Sequence, residues 1–579
     1  MKYSFLTTGL ALLLVCFTAG CAAGPASVAA PQQTDEADSA AAVPHEHPAR
    51  ANGGPLSELQ QAFDVTYYEI DMAIFPDAQR IEAHVTAHIY ALEPPVERIE
   101  LDLAQNYDVA QVRLTRETKL DFEHVGDKLY VDLGPELELS EDAIIPITIV
   151  YYGNPPVAPR PPWEGGFTWS EDAQGRHWVG VSCQLEGAKV WLPVKDHPAS
   201  RADSLRMAID VPKPYTVAAN GLHERTSESL LSEDRHVWHW KTNYPTHNYN
   251  INITMGMFER HERAYRTRDG ADMPVVFYVL EEDAHQAGQL LDMTVAKLEQ
   301  LRHYFGEYGF TDEKFGLVHT PYLGMEHQTI NAYGNDFEYT DIGGKRYDWL
   351  LLHEMGHEWW GNLITIDDWA EFWIHEGITT FTDALFLYDF YSPAVYYDKI
   401  SEYIGNIRNH QPIIPGENLN SAEVYNHDVY YKGAYFMHTL MHLMGRPVFL
   451  EAIRSFAEAN RYAYSSTDAL MKHFQRYTPH PLRPLFELYL YDVRLPEFQL
   501  TLEEEGDEGE QSQYVLELKN AGELQQAHGE DLAFPLEIQT FRGLEQHTLG
   551  AEPIVIESAT RPVVDPDAWY LHAGMDFLE

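Results

Sequence analysis

The spacing of apolar and polar positions changes period twice along the chain. Between residues 57 and about 260 strand patterns dominate, the clearest being Ile81, Ala83, Val85, Ala87 and Ile89, which alternate with Glu82, His84, Thr86, His88 and Tyr90. A period of two puts one set on a covered face and the other toward solvent, so this run predicts a half-buried strand. Stretches 144–152, 204–211 and 248–255 have the same character, with proline and glycine punctuating the intervals. Near residue 280 the period lengthens. Ala287, Leu290, Leu291, Val295, Leu298 and Leu301 fall at helical spacing, and further helices are predicted over 347–363, 377–388, 433–443, 448–459 and 466–477. From about 496 strands return, at 498–502, 514–518, 536–541 and 554–557, the first two flanking an acidic turn at 503–510. The expected fold is a multidomain α+β chain: a β-rich N-terminal domain over 57–262, a mainly helical domain over 263–494 and a small β-sandwich over 495–579.

The first 56 residues read differently. Residues 1–21 combine an early positive charge at Lys2, an apolar run from Leu10 to Phe17 and then small residues, which is the pattern of a secretory signal and is too short to span a bilayer. The end of that run, Phe17-Thr18-Ala19-Gly20-Cys21, resembles a bacterial lipobox, with Thr18 where the pattern prefers leucine; the resemblance implies lipidation at Cys21 and an outer-membrane lipoprotein facing the periplasm or the cell surface. Residues 22–56 are rich in Ala, Pro and acid without apolar periodicity, and are expected to form a disordered tether in which His45, Glu46 and His47 are simply solvated. Cys16, Cys21 and Cys183 are the only cysteines, so no intramolecular disulfide framework supports the fold.

Charge narrows the partners. With 89 acidic against 40 basic residues the formal net charge is −49, the wrong sign for a nucleic-acid partner, whose phosphates require a basic surface.

The candidate chemistry lies in the helical region. In the segment Leu352-His353-Glu354-Met355-Gly356-His357-Glu358-Trp359-Trp360-Gly361 the two histidines stand four positions apart on a predicted helix, so both imidazoles reach one ion. Glu354 projects beside that pair, where it can serve as general base toward a water. A catalytic zinc needs three protein ligands and an open position. Glu376, 19 positions after His357 and opening the next predicted helix, supplies the third from Trp373-Ile374-His375-Glu376-Gly377. Asp383, seven positions after Glu376 and on roughly the same helical face, is a candidate to orient a ligand.

Together HEMGHEWWGN and WIHEG resemble the gluzincin zinc aminopeptidases of the aminopeptidase N and leukotriene hydrolase type. The resemblance runs from about Ser57 to the C-terminus. It implies a β-saddle N-terminal domain, a thermolysin-like catalytic domain and a β-sandwich, without the large helical domain with which many relatives close the active site. It implies one zinc ion and a peptide substrate with a free N-terminus. The family's GxMEN-like element corresponds to Tyr322-Leu323-Gly324-Met325-Glu326-His327, which makes Gly324, Met325 and Glu326 substrate-binding positions and Glu326 the carboxylate that takes the α-ammonium; His327 stands where asparagine is usual. Tyr322 and Met325 are expected to border the pocket for the first side chain. Ser182-Cys183-Gln184 resembles the stretch that gives a second amine contact, at Gln184. Val429-Tyr430-Tyr431-Lys432-Gly433 matches the element whose tyrosine donates to the developing oxyanion, here Tyr430, with Tyr431 as the fallback and Tyr425 as a secondary contact.

The implied activity is release of N-terminal amino acids by attack of an activated water, with Glu354 as base and Tyr430 as oxyanion donor. Three alternatives use the same residues differently: a zinc endopeptidase, which needs no amine anchor; an epoxide hydrolase; and a non-catalytic surface-binding protein, which needs neither Glu354 nor Tyr430.

Overall fold

The computed structural model describes residues 51–92, 95–134, 143–505 and 511–578. The signal, Cys21, the His45–His47 cluster and most of the expected tether lie outside the described residues, as does the end of the acidic turn.

The N-terminal region is built on a ten-stranded sheet. Its centre is the strand Phe63–Phe75, antiparallel to Arg80–Ala91 and parallel to Ser204–Pro212. The alternation seen in the sequence is realised as expected: Ile81, Ala83, Val85, Ala87 and Ile89 are all buried, and their neighbours are half-buried or exposed. A separate four-stranded sheet, ordered Thr216–Ala219, Ile253–Gly256, His177–Ser182, Gly166–Glu171, carries the stretch that ends at Ser182 and turns into Gln184. The predicted strand at 248–255 is divided. Asn248–Asn250 form a 3-10 turn, held because Asn248 Nδ2 donates to the Lys195 carbonyl and Asn250 Nδ2 to Asn362 Oδ1, and only Ile253–Gly256 continue as strand.

A mixed five-stranded sheet opens the second region, in the order Phe258–Arg266, Asp272–Leu280, Phe315–His319, Asn331–Tyr333, Gly324–Met325. Its first strand runs across residue 262 and pairs over its full length with the second, so this sheet begins before the change of period. Gly324–Met325 form its edge and deliver Glu326 into the cleft. Helices follow, among them Ala287–Phe305, Trp349–His357, Trp373–Phe390 and Tyr431–Met444. No described helix is long and apolar enough to cross a membrane.

The helix predicted over 347–363 is shorter than expected. It starts at Trp349, capped by the Asp348 carboxylate on Leu351 N–H, and ends at His357. Beyond it Trp359 and Trp360 are fully buried but not helical, and Gly361, at φ 139°, turns the chain into a short strand at Ile364–Thr365. The apolar run alone shows burial, not where the helix stops.

The C-terminal region contains a four-stranded sheet (Ile554–Ser558, Ser512–Leu518, Glu497–Glu504, Gly574–Leu578) and a three-stranded one (Gly543–Leu549, Phe534–Thr540, Val563–Val564). Phe498 of the first meets Phe534 of the second edge to face.

Residues 51–56, expected within the tether, are docked instead: Asn52 is 3 % exposed, and Ser57 and Gln60 close a capping box on the short helix Glu58–Gln61. The order here comes from hydrogen bonds to distant backbone rather than from apolar spacing, so periodicity does not register it.

Candidate active site

The two motif helices, Trp349–His357 and Trp373–Phe390, pack together and bring three side chains to one point. His353 Nε2 lies 3.2 Å from His357 Nε2, and Glu376 Oε2 is 3.6 Å from the first and 3.3 Å from the second. A tetrahedron with zinc–ligand bonds of about 2.0–2.1 Å has edges of roughly 3.3 Å, so the three donors stand at the separations that zinc requires. The far nitrogens are occupied: His353 Nδ1 faces Asp383 Oδ2 at 3.4 Å and His357 Nδ1 faces the Trp360 carbonyl at 3.0 Å. Those contacts turn both Nε2 atoms toward the common point and fix the tautomer in which they can ligate. Glu376 Oε2 is buried without a hydrogen-bond partner, an orphaned acceptor aimed at the same place.

The surroundings favour positive charge. Burial works against it, yet Asp383 and Glu376 hold the His353 ring well above its ordinary value, and Glu376 with Glu326 draws His357 up to about 9. Burial also opposes ionisation of Glu376, but the adjacent His357 and His353 outweigh it and hold its carboxyl well below the usual range.

Glu354 is buried beside the pair, and burial raises its carboxyl toward the range of a base that works near neutral pH. It lies against the edge strand where that strand has no side chain: a Cβ built on Gly324 would come within 2.3 Å of Glu354 Oε1. Met325, the next residue of the strand, is 3 % exposed, and Tyr322 packs on Gly180, with its hydroxyl donating to the Val181 carbonyl at 2.9 Å.

Glu326 follows directly. It accepts from Gln184 Nε2 at 2.6 Å and from the Tyr249 hydroxyl at 2.9 Å, and a carboxylate oxygen of Glu326 lies within 4.8 Å of ligand atoms of Glu354 and His357. Gln184 Nε2 also approaches Glu376 Oε1 at 3.4 Å, so the residue from the N-terminal region bridges the amine-anchor candidate and the metal-ligand candidate. The amide oxygen of Gln184 is left to accept from a ligand. Among the described residues no lysine or arginine pairs with Glu326, Glu354 or Glu376. His327 points elsewhere. Its Nε2 meets Asn252 Nδ2 at 3.1 Å in the buried seam, and burial pushes the ring down to about 3, so it stays neutral.

Tyr430 stacks on the His353 ring at 6.5 Å and 25°, and Tyr425 meets Tyr430 edge-on at 6.2 Å. Burial, then the charge of Glu376, hold the Tyr430 hydroxyl far above its ordinary value, so it remains a donor. Tyr431 packs against Tyr403 at 5.9 Å and His427 at 6.4 Å, away from the metal ligands. Two glycines permit this approach: a Cβ on Gly377 would lie 2.9 Å from the Val429 carbonyl oxygen, and one on Gly433 would lie 3.0 Å from Gly377 Cα. The glycines of WIHEG and YYKG therefore face each other where two helices cross, and a methyl on either would force that crossing to shift.

The structure thus gathers His353, Glu354, His357, Glu376, Glu326, Gln184, Gly324, Tyr430 and Asp383 into one cleft, with Met325 buried on the edge strand beside Glu326. Two contributors carry no sequence signal: Tyr249, the second donor to Glu326, and the Trp360 carbonyl, which appears only because the helix ends early.

Residues 289–489 match the family model described as the peptidase family M1 domain. Aminopeptidase N of Caulobacter vibrioides is 24 % identical over 328 residues, covering 53 % of this chain and 37 % of that protein. Aminopeptidase N of Escherichia coli K12 is 23 % identical over 316 residues, covering 50 % of this chain and 35 % of that one. The match thus spans little more than a third of the length of these relatives. Among solved structures, a mutant M1 zinc metallopeptidase from Deinococcus radiodurans bound to a Tyr-Ser-Ala substrate aligns with TM-score 0.63 and 20 % identity, over 77 % of this chain and 98 % of that one. Legionella pneumophila aminopeptidase A in complex with aspartic acid aligns with TM-score 0.72 and 17 % identity, over 88 % of this chain and 58 % of that one. The segment that matches the peptidase family M1 domain, residues 289–489, holds every candidate metal ligand.

Proposed function

We propose that the protein is a zinc-dependent aminopeptidase that releases N-terminal residues from peptides with a free α-amine. The observation that carries this reading is the position of Glu326, a buried carboxylate within 4.8 Å of the Glu354 carboxylate and the His357 ring, with Gln184 and Tyr249 holding it in place. The α-ammonium of a peptide lies two bonds from its first carbonyl carbon. An anchor this close to the base therefore selects the first peptide bond. The relatives support the reading: they are named aminopeptidases, and a structural neighbour binds a tripeptide substrate.

When bound by His353, His357 and Glu376, zinc supplies Lewis acidity at the scissile carbonyl. Glu354 takes the proton of the attacking water and returns it to the departing amine. The Tyr430 hydroxyl donates to the carbonyl oxygen as it gains charge. Asp383 keeps the His353 ring in its ligating orientation, and Glu326 with the Gln184 amide oxygen holds the ammonium. The lipobox-like end of residues 1–21 supports an exported, lipid-anchored location as part of the same reading.

Aminoacyl reporters compared with their N-acetylated forms test this function. The free forms are expected to be cleaved, the acetylated forms to be inert, and a chelator to abolish turnover until zinc is returned. Equal cleavage of both forms, or turnover that survives chelation, would contradict it.

A further inference from the structure

Asn52 is buried at the seam between the N-terminal and helical regions, and every polar group it has is satisfied. Its backbone N–H points at the Leu185 carbonyl at 3.1 Å and the Ser421 hydroxyl at 3.2 Å, and its carbonyl accepts from Ser421 N–H at 2.9 Å. The side chain works in two directions: Nδ2 donates to the Gln184 carbonyl at 3.2 Å, and Oδ1 accepts from Trp369 Nε1. The neighbours of Asn52 are tied down as well. Lys189 Nζ donates to the Ala51 carbonyl at 2.7 Å, and His197 Nε2 faces the Gly54 carbonyl at 2.9 Å. Gly53, at φ 79°, bridges to Asn420 and lies so close to Trp369 that a Cβ would come within 2.4 Å of its ring. A left-handed glycine in contact with an indole is a position that no other residue fills without strain.

The strap therefore joins three segments: the Gln184–Leu185 turn, the Trp369 turn that precedes the Glu376 helix, and Asn420–Ser421. The Gln184 side chain leaves the turn whose carbonyl Asn52 holds, and it reaches Glu326 at 2.6 Å and Glu376 at 3.4 Å. We infer that Asn52 is a positioning residue for recognition of the substrate amine, acting by fixing the Gln184 turn against the catalytic region so that Gln184 meets Glu326. The inference rests on the amine-anchor reading of Glu326 and Gln184. A fully satisfied buried asparagine suits the task, because every displacement of the turn breaks a hydrogen bond that water cannot replace there.

Binding of two hydroxamates to the zinc-loaded full chain tests it: phenylalanine hydroxamate, which carries an α-amine, and 3-phenylpropionyl hydroxamate, which lacks one. In Asn52→Ala the inhibition constant of the amine-bearing compound is expected to rise about tenfold, and that of the amine-free compound to stay within about twofold. Asn52→Asp keeps the shape of the side chain and the acceptor for Trp369 but sets a carboxylate oxygen against the Gln184 carbonyl, so it breaks the contact that positions the turn and is expected to show the same selective loss. A change that weakens both compounds equally in Asn52→Asp, or neither, would overturn the role. A wild-type protein with no preference for the amine-bearing compound would strike down the amine-anchor reading itself, and the role of Asn52 with it.

Discussion

Glu354→Gln is expected to lower kcat by about 10³-fold or more while zinc content and fold are retained. The substitution keeps the shape of the side chain and its fit against the bare backbone of Gly324, and it leaves His353, His357 and Glu376 intact. What is lost is the basic oxygen. General acid–base catalysis is typically worth about 10²–10⁴-fold, and Glu354 is assigned two proton transfers in one turnover, so the upper part of that range applies. Metal analysis of the purified variant beside its turnover number checks both halves. A variant that still turns over near the wild-type rate would remove Glu354 from the mechanism, and one that loses zinc would make it structural.

Glu326→Gln is expected to lower kcat/KM for free-amine reporters by about 10²–10³-fold. Glu326 is almost wholly buried, and its hydrogen bonds from Gln184 and Tyr249 leave it well placed to pair with one ammonium. Removing one partner of a buried ion pair typically costs about 3–5 kcal/mol, which is of that order in binding. The neutral amide also presents N–H groups to two donors, so the local network is frustrated as well as discharged. Burial and the nearby Glu376 raise the Glu326 carboxyl, with His357 opposing them, which makes the site one in which an incoming cation is strongly favoured. The measurement is steady-state kinetics of the variant on one reporter in its free and acetylated forms. The account predicts that the difference between the two forms collapses because the free form loses its advantage.

The parts of the site that the sequence reveals are those whose geometry is local. His353 and His357 share a helical face through their spacing of four, and Asp383 lies seven residues beyond Glu376 on the next helix, so its approach to His353 is readable once the helices are placed. The strand of Ile81 to Ile89 is readable for the same reason, since its alternation is complete. What spacing misses is contact between segments far apart in the chain. Tyr249 meets Glu326 across 77 positions and Asn52 meets Ser421 across 369; the strand pattern read over 248–255 says nothing of Glu326, and Asn52 sits in no periodic run or motif. The helix expected over 347–363 fails for another reason: buried tryptophans at 359 and 360 extend the apolar run after the backbone has turned, and the turn is what offers the Trp360 carbonyl to His357. The order of residues 51–54 escapes composition altogether, because hydrogen bonds and one left-handed glycine hold it in place.

On the proposed function, the anchor at Glu326 restricts a zinc hydrolase site to the first peptide bond. Its most direct test follows a defined ten-residue peptide by mass spectrometry during incubation with the zinc-loaded protein, beside the same peptide acetylated at its N-terminus. The account predicts a ladder of products shortened one residue at a time from the N-terminus, and no product from the acetylated peptide. Internal fragments, or cleavage of the acetylated peptide at a comparable rate, would contradict it.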